Sequence, residues 1–228
     1  VGCKYCYRSS FNQSFNKHRN HSAERCVEDL VRLKNDYGAL GSYMVHDDIF
    51  PLSEAWVKQF IEVYDARVKE RIPFWCQMRA DQINRFESKG LIGELARIGL
   101  TCVSLGWETG SARMLEFIGK GVSVEENDRS VKVLHSHYVN IFLNYIRHLP
   151  TETMEDIKVT VDKLKQFRPS YHAASTYTDY PGTVMNKYCK DNDLLMEEQY
   201  STLRYPYEPR IKNVDYDGEG HELWVSAL

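Results

Sequence analysis

The sequence predicts an α/β protein built on a sheet of parallel strands, and three observations carry that expectation. Five short runs dense in β-branched and aromatic residues alternate with amphipathic helical patterns. The strand ends Asp47, Arg79, Glu108, His148 and Tyr180 follow one another at about 30 to 40 residues, the length of a strand plus its crossover helix. Each apolar run is followed at once by charged or hydrogen-bonding groups, as expected where the carboxyl ends of parallel strands share one ligand-binding face.

The elements can be justified in order. The strands are expected at Gly41–His46, Phe74–Met78, Thr101–Trp107, Val139–Ile146 and Tyr171–Tyr177. From Ser53, the residues Trp56, Phe60, Ile61, Tyr64 and Val68 recur at intervals of three and four and mark one buried helical stripe. Leu91, Leu95 and Ile98 repeat the pattern on a shorter helix that stops at Gly99. Ser123 and Glu126 have capping-box spacing ahead of Val131 and Leu134. Met154, Ile157, Val161 and Leu164 form a further stripe that ends before Pro169. Strict alternation leaves open whether the sheet is doubly wound or curled into a barrel.

Composition removes several functional classes. The 228 residues carry 29 basic and 32 acidic side chains, a formal charge of −3, so the chain lacks the basic excess of a protein that grips nucleic-acid phosphates. With 43% apolar residues it can bury a substantial core. Its longest apolar runs fall far short of the roughly 20 residues that span a bilayer, so neither a nucleic-acid nor a membrane partner is expected. The six cysteines, at 3, 6, 26, 76, 102 and 189, read as reduced thiols plus one clustered site, which makes the cytoplasm the default location. The chain opens on Val1 without an initiator methionine or a signal core, and its start reads as cut. Residues 1–195 are expected to form one domain and 196–228 an extension of unknown structure.

Cys3-Lys4-Tyr5-Cys6 is a C-x-x-C motif, used by redox dithiols, by half of a zinc site and by part of an iron–sulfur cluster. A zinc site needs a second pair, and downstream only His18 and His21 give a poor H-x-x-H. A redox dithiol would follow a first strand and open a helix, whereas here a polar, loop-like stretch runs to Asn20.

An ordered set of further motifs narrows the choice. Val45-His46-Asp47-Asp48-Ile49-Phe50, Cys76-Gln77-Met78-Arg79-Ala80-Asp81, Leu105-Gly106-Trp107-Glu108-Thr109-Gly110-Ser111 with Leu115 and Lys120 beyond, and Tyr180-Pro181-Gly182-Thr183 follow the C-x-x-C in turn. Across residues 1 to about 195 this set resembles the radical S-adenosylmethionine (SAM) superfamily, most closely its cobalamin-dependent group. The family signature is C-x-x-x-C-x-aromatic-C, and Cys3, Tyr5 and Cys6 match its last part. The first cysteine would lie two residues before Val1. One segment departs from the family: where it has G-L-P-G-E, this chain has His148-Leu149-Pro150-Thr151-Glu152. Side chains at the two glycine positions would narrow the floor near the adenine or alter the turn.

The resemblance implies a partial (β/α)6 TIM-like barrel whose first strand falls outside the chain. It also implies a 4Fe-4S cluster held in part by Cys3 and Cys6, SAM bound to the open iron, and cobalamin supplied by an absent upstream domain. Asp47 or Asp48 would accept from the SAM ammonium, Arg79 would pair with its carboxylate, and Glu108 would accept from the ribose hydroxyls or the ammonium. Tyr5 would line the adenine, with His148 beside it. Each has a plainer reading. Asp47 and Asp48 begin the loop to Pro51 and Ser53, Arg79 and Glu108 pair with each other, His148 is a packed histidine, and Cys26, Cys76, Cys102 and Cys189 act as small apolar residues. The implied activity is reductive cleavage of SAM and functionalisation of an unreactive carbon in a small-molecule substrate, with methyl transfer through cobalamin as the favoured form and electrons from a flavodoxin or ferredoxin. The alternatives are a radical cyclase or rearrangement enzyme and a non-catalytic metal-binding or redox carrier.

Overall fold

The computed structural model describes residues 2–7, 20–196 and 211–212. In chain order the described elements are α1 (Ala23–Tyr37), β1 (Tyr43–Val45), α2 (Glu54–Arg67), β2 (Phe74–Met78), α3 (Ala80–Glu87), α4 (Leu91–Ile98), β3 (Leu100–Glu108), α5 (Ala112–Phe117), α6 (Val124–Ser136), β4 (Asn140–Arg147), α7 (Met154–Phe167), β5 (Tyr171–Thr176) and α8 (Val184–Asp191). The strands form one parallel sheet in the order β1-β2-β3-β4-β5. A doubly wound sheet reverses direction at a switch point, whereas this order runs one way, so the choice left open by alternation resolves to a partial TIM-like barrel.

Local chemistry accounts for the elements. Side-chain oxygens of Ser22, Ser53, Ser111, Thr153 and Thr183 accept the N–H three residues on and cap α1, α2, α5, α7 and α8. At Thr153 the bond is reciprocated by Asp156, a full capping box. Strand β2 buries Phe74, Cys76 and Met78 and leaves Trp75 and Gln77 half-buried, the two-residue period of a pleated strand. Helix α3 was not expected from the sequence. It begins directly after β2 with Arg79 at its N-cap, where no side-chain cap bond forms, so the start signal is missing.

The chain divides into two compact units. One comprises His18–Gly106 and Glu125–Leu143. Its core stacks Trp56 on Phe60, with ring centroids 5.3 Å apart, and sets Phe50 and Phe74 edge-on to Phe60. Gly99, at φ 133°, closes α4 so tightly against the chain before β2 that a Cβ there would sit 2.1 Å from the Ile72 carbonyl oxygen. The loop after β1 is held by Phe50, whose N–H donates to the Gln77 carbonyl at 2.7 Å and whose carbonyl accepts from the Gln82 amide at 2.8 Å.

The other unit comprises Val1–Lys17, Trp107–Val124 and Asn144–Leu228. Met114, Ile118, Ile146, Leu149, Tyr177, Met185, Cys189 and Ile211 make its core. The turn after β3 is pinned to α7. Gly110 approaches so closely that a Cβ would lie 2.9 Å from the Thr160 Cα, and the Gly110 N–H donates to the Thr160 hydroxyl at 3.0 Å. Of the extension 196–228, only Met196, Ile211 and Lys212 lie within the described residues, with Ile211 bridging antiparallel to Leu195.

Candidate functional site

In the unit that holds the amino end, Cys3-Lys4-Tyr5-Cys6 forms a tight turn closed by the Cys6 N–H donating to the Cys3 carbonyl at 3.1 Å. Cys3 is buried and Cys6 half-buried. The turn is strung between two helix ends: the Lys4 N–H donates to the Ile118 carbonyl at the C-cap of α5, and the Lys4 carbonyl accepts from the Met185 N–H in the first turn of α8, both at 2.9 Å. Each contact satisfies a group that a helix terminus leaves without an intrahelical partner.

Between the two cysteines, the Tyr5 phenol hydrogen-bonds to Glu108. Burial, the Glu108 carboxylate and the two neighbouring thiols push its acidity far out of the ordinary range, so it is a fixed neutral donor. Glu108, the last residue of β3, stands at φ 71°, and its Oε1 lies 2.5 Å from the Nζ of Lys120. Both side chains are nearly buried, so the pair is a desolvated ion pair rather than a surface contact. Cys3, Tyr5, Cys6 and Glu108 thus lie together in this unit. The pairing of Lys120 leaves no periodic signal in the sequence, because its partner lies 12 positions away on the far side of α5.

His148 follows the end of β4, is 1% exposed and stands at φ 61°. Thr151 stands at φ 66°, so both positions where glycine was replaced adopt the left-handed backbone that glycine favours. The His148 N–H donates to Glu152 Oε2 at 2.8 Å. Nothing in the sequence singles out Glu152 beyond its place at the end of that segment. It is 1% exposed, its Oε1 has no hydrogen-bond partner among the described residues, and burial pushes its carboxyl up to about 8 against the pull of the His148 and Leu149 backbone N–H groups.

In the other unit, Asp47 and Asp48 are exposed beyond the end of β1, and Arg79 follows the end of the adjacent β2. Arg79 is largely buried and its Nε donates to Asp81 Oδ1 at 2.9 Å. The negative charge of Asp47 is felt at the thiol of Cys26, which burial and that charge raise. Cys76, with its thiol pushed far up by burial, fits the plain reading of a small apolar residue.

Among the described residues no group of three or more His, Cys, Asp or Glu side chains converges as a metal site. The donor set on the turn nonetheless fits two positions of a three-thiolate cluster: two sulfurs on one closed turn, next to a neutral phenol donor and a buried ion pair. The described helices include none long and apolar enough to cross a membrane.

The sheet order, the cysteine turn and the strand-end groups define a class, and comparison with known proteins gives its name. The model of the radical SAM superfamily matches residues 1–164, and the chain belongs to that superfamily of enzymes. An uncharacterized methyltransferase of Pyrococcus horikoshii is 30% identical over 207 residues, covering 89% of this chain and 44% of that protein. The anaerobic magnesium-protoporphyrin IX monomethyl ester cyclase of Cereibacter sphaeroides is 23% identical over 190 residues, covering 83% and 30%. The chain therefore spans less than half the length of these relatives. In fold it is similar to the cobalamin-dependent SAM radical enzyme OxsB with aqua-cobalamin and SAM bound, with a TM-score of 0.71, 16% identity and coverage of 99% of this chain and 39% of that one. It is also similar to the radical SAM methyltransferase TsrM of Kitasatospora setae, with a TM-score of 0.62, 16% identity and coverage of 90% and 40%.

Proposed function

We propose that this chain is the catalytic core of an enzyme that binds a 4Fe-4S cluster and SAM and methylates an unreactive carbon of a small molecule with the help of cobalamin. The observation that carries this reading is the closed cysteine turn laid against Tyr5, Glu108 and Lys120. Cys3 and Cys6 would be two of the three thiolate ligands that the family signature calls for. When bound, the cluster supplies the electron that breaks a carbon–sulfur bond of SAM, and cobalamin supplies a methyl carrier.

The chain's own groups hold and orient. Glu108, fixed by Lys120, would present an acceptor for the SAM ammonium or ribose hydroxyls, and Tyr5 would line the adenine. Asp47 and Asp48 would serve as acceptors and Arg79 as a donor for the amino-acid end, and His148 would bind the nucleotide. The electron donor would be a flavodoxin or ferredoxin in the cytoplasm. The methyltransferase names of the Pyrococcus relative and of TsrM support methyl transfer, and the cobalamin bound in OxsB and TsrM supports the use of that cofactor. The cyclase name of the Cereibacter relative favours a second reading, radical cyclisation without methyl transfer.

The test is anaerobic reconstitution of the full-length natural protein. Expected are about four irons per chain, 5′-deoxyadenosine formed from SAM under reduction, and loss of both in Cys3→Ala and Cys6→Ala. Transfer of a labelled methyl group from SAM to product separates methylation from cyclisation. Zinc alone, with no SAM turnover, would overturn the reading in favour of a metal carrier.

A further inference from the structure

The side chains of Asp179 and Asn186 lie far in sequence from the cysteines, yet they anchor the helix on which the cysteine turn hangs. Asp179 is 2% exposed. Its Oδ1 accepts from the Tyr177 hydroxyl at 2.9 Å and its Oδ2 accepts from the Asn186 amide at 2.5 Å. Asn186 Oδ1 in turn accepts the Gly182 N–H at 3.3 Å, and the Asn186 N–H donates to the Thr183 cap at 3.0 Å. These bonds fix the Tyr180-Pro181-Gly182-Thr183 turn and the first turn of α8, and the N–H of Met185, immediately before Asn186, is the one that holds the Lys4 carbonyl. The ring of Tyr7, just past Cys6, lies 6.0 Å from that of Tyr180 in the same turn.

We propose that Asp179 and Asn186 are positioning residues for the cysteine turn: their bond sets the start of α8 and thereby where Cys3 and Cys6 are held. This rests on the proposed role of those cysteines as cluster ligands. The Asn186 amide faces two opposed demands, its nitrogen toward an acceptor at Asp179 and its oxygen toward the Gly182 N–H. Asp179→Asn puts a donor where an acceptor is needed if its oxygen stays on Tyr177, and a rotated Asn186 would lose Gly182. The exchanged pair Asp179→Asn with Asn186→Asp restores every bond: the new amide donates to the new carboxylate, which still accepts from Gly182.

The experiment uses the full-length natural protein in two arms. In the cluster-free protein, alkylation of Cys3 by iodoacetamide, followed by mass spectrometry, should be at least tenfold faster in Asp179→Asn and return to within about threefold of wild type in the exchanged pair. In the reconstituted protein, iron loss to a chelator should follow the same order, with a broadened electron paramagnetic resonance signal in Asp179→Asn alone. Wild-type Cys3 reactivity in Asp179→Asn would overturn the proposal, as would an exchanged pair that melts like wild type but keeps the fast alkylation. Failure of wild type to retain iron, with the alkylation pattern as expected, would instead overturn the cluster reading and leave the anchoring of the turn established.

Discussion

Glu108 and Lys120 form a buried ion pair, 2.5 Å from Oε1 to Nζ, that joins the last residue of β3 to the loop beyond α5. Tyr5 donates to the same carboxylate, so one acidic group ties the cysteine turn to the sheet.

Removing one partner of such a pair leaves a desolvated charge behind. Lys120→Met should destabilise the protein by about 3 kcal/mol, and adding Glu108→Gln should recover at least half of that loss, because a neutral amide can still accept from Tyr5. Urea denaturation of the single and double variants checks this, and equal losses in the two would refute it.

Glu152 gives stability a dependence on pH whose sign can be worked out. Burial raises its folded value to about 8 from an ordinary 4.5, so the folded state holds the proton more tightly than the unfolded chain. Its contribution is full below pH 4.5 and is lost as pH rises through 8. Asp156 acts oppositely in acid. Burial disfavours its charge, but Arg113, Ser111 and Thr153 hold it down to about 2, so its contribution is present above the ordinary 3.8 and lost toward pH 2. Glu152→Gln should match wild type near pH 4.5 and exceed it by on the order of 3 kcal/mol at pH 8. Denaturation curves from pH 4.5 to 8 that stay parallel would contradict this.

His148 and Thr151 share a backbone conformation but differ in what their side chains do. Thr151 is half-buried and its hydroxyl accepts only a 3.3 Å bond from Arg113, so Thr151→Gly should raise stability by about 0.5 to 1 kcal/mol through relief of the left-handed strain. His148 is 1% exposed, and His148→Gly should lower stability by about 1 to 3 kcal/mol because the vacated volume outweighs the same relief. Thermal unfolding of the two variants should therefore show shifts of opposite sign.

The strands were legible because their patterning is local. Phe74–Met78 matches β2 at both ends, and the other four expected strands overlap the observed ones with boundary shifts of one or two residues at most ends. Helix α3 was missed because Arg79 gives no capping signal. The motif residues Cys3, Tyr5, Cys6 and Glu108 were found together, since a turn and a strand end are short-range features. The roles of Lys120, Glu152 and Asp179 were not legible, because they lie in burial and in partners reached through the fold. The left-handed φ of His148 and Thr151 also lay beyond the sequence, which suggested an altered turn or a crowded floor. The backbone at both positions adopts the conformation that glycine favours, with side chains attached.

The hydrogen bonds that tether residue 4 use only peptide groups, one hydrogen given to Ile118 and one oxygen lent to Met185, while its ammonium stands 5.6 Å from the centre of the Phe117 ring. Most amino acids placed between the first cysteine of the motif and its tyrosine would therefore keep both bonds and lose only the contact with that ring. Proline alone would be shut out, having no hydrogen to give.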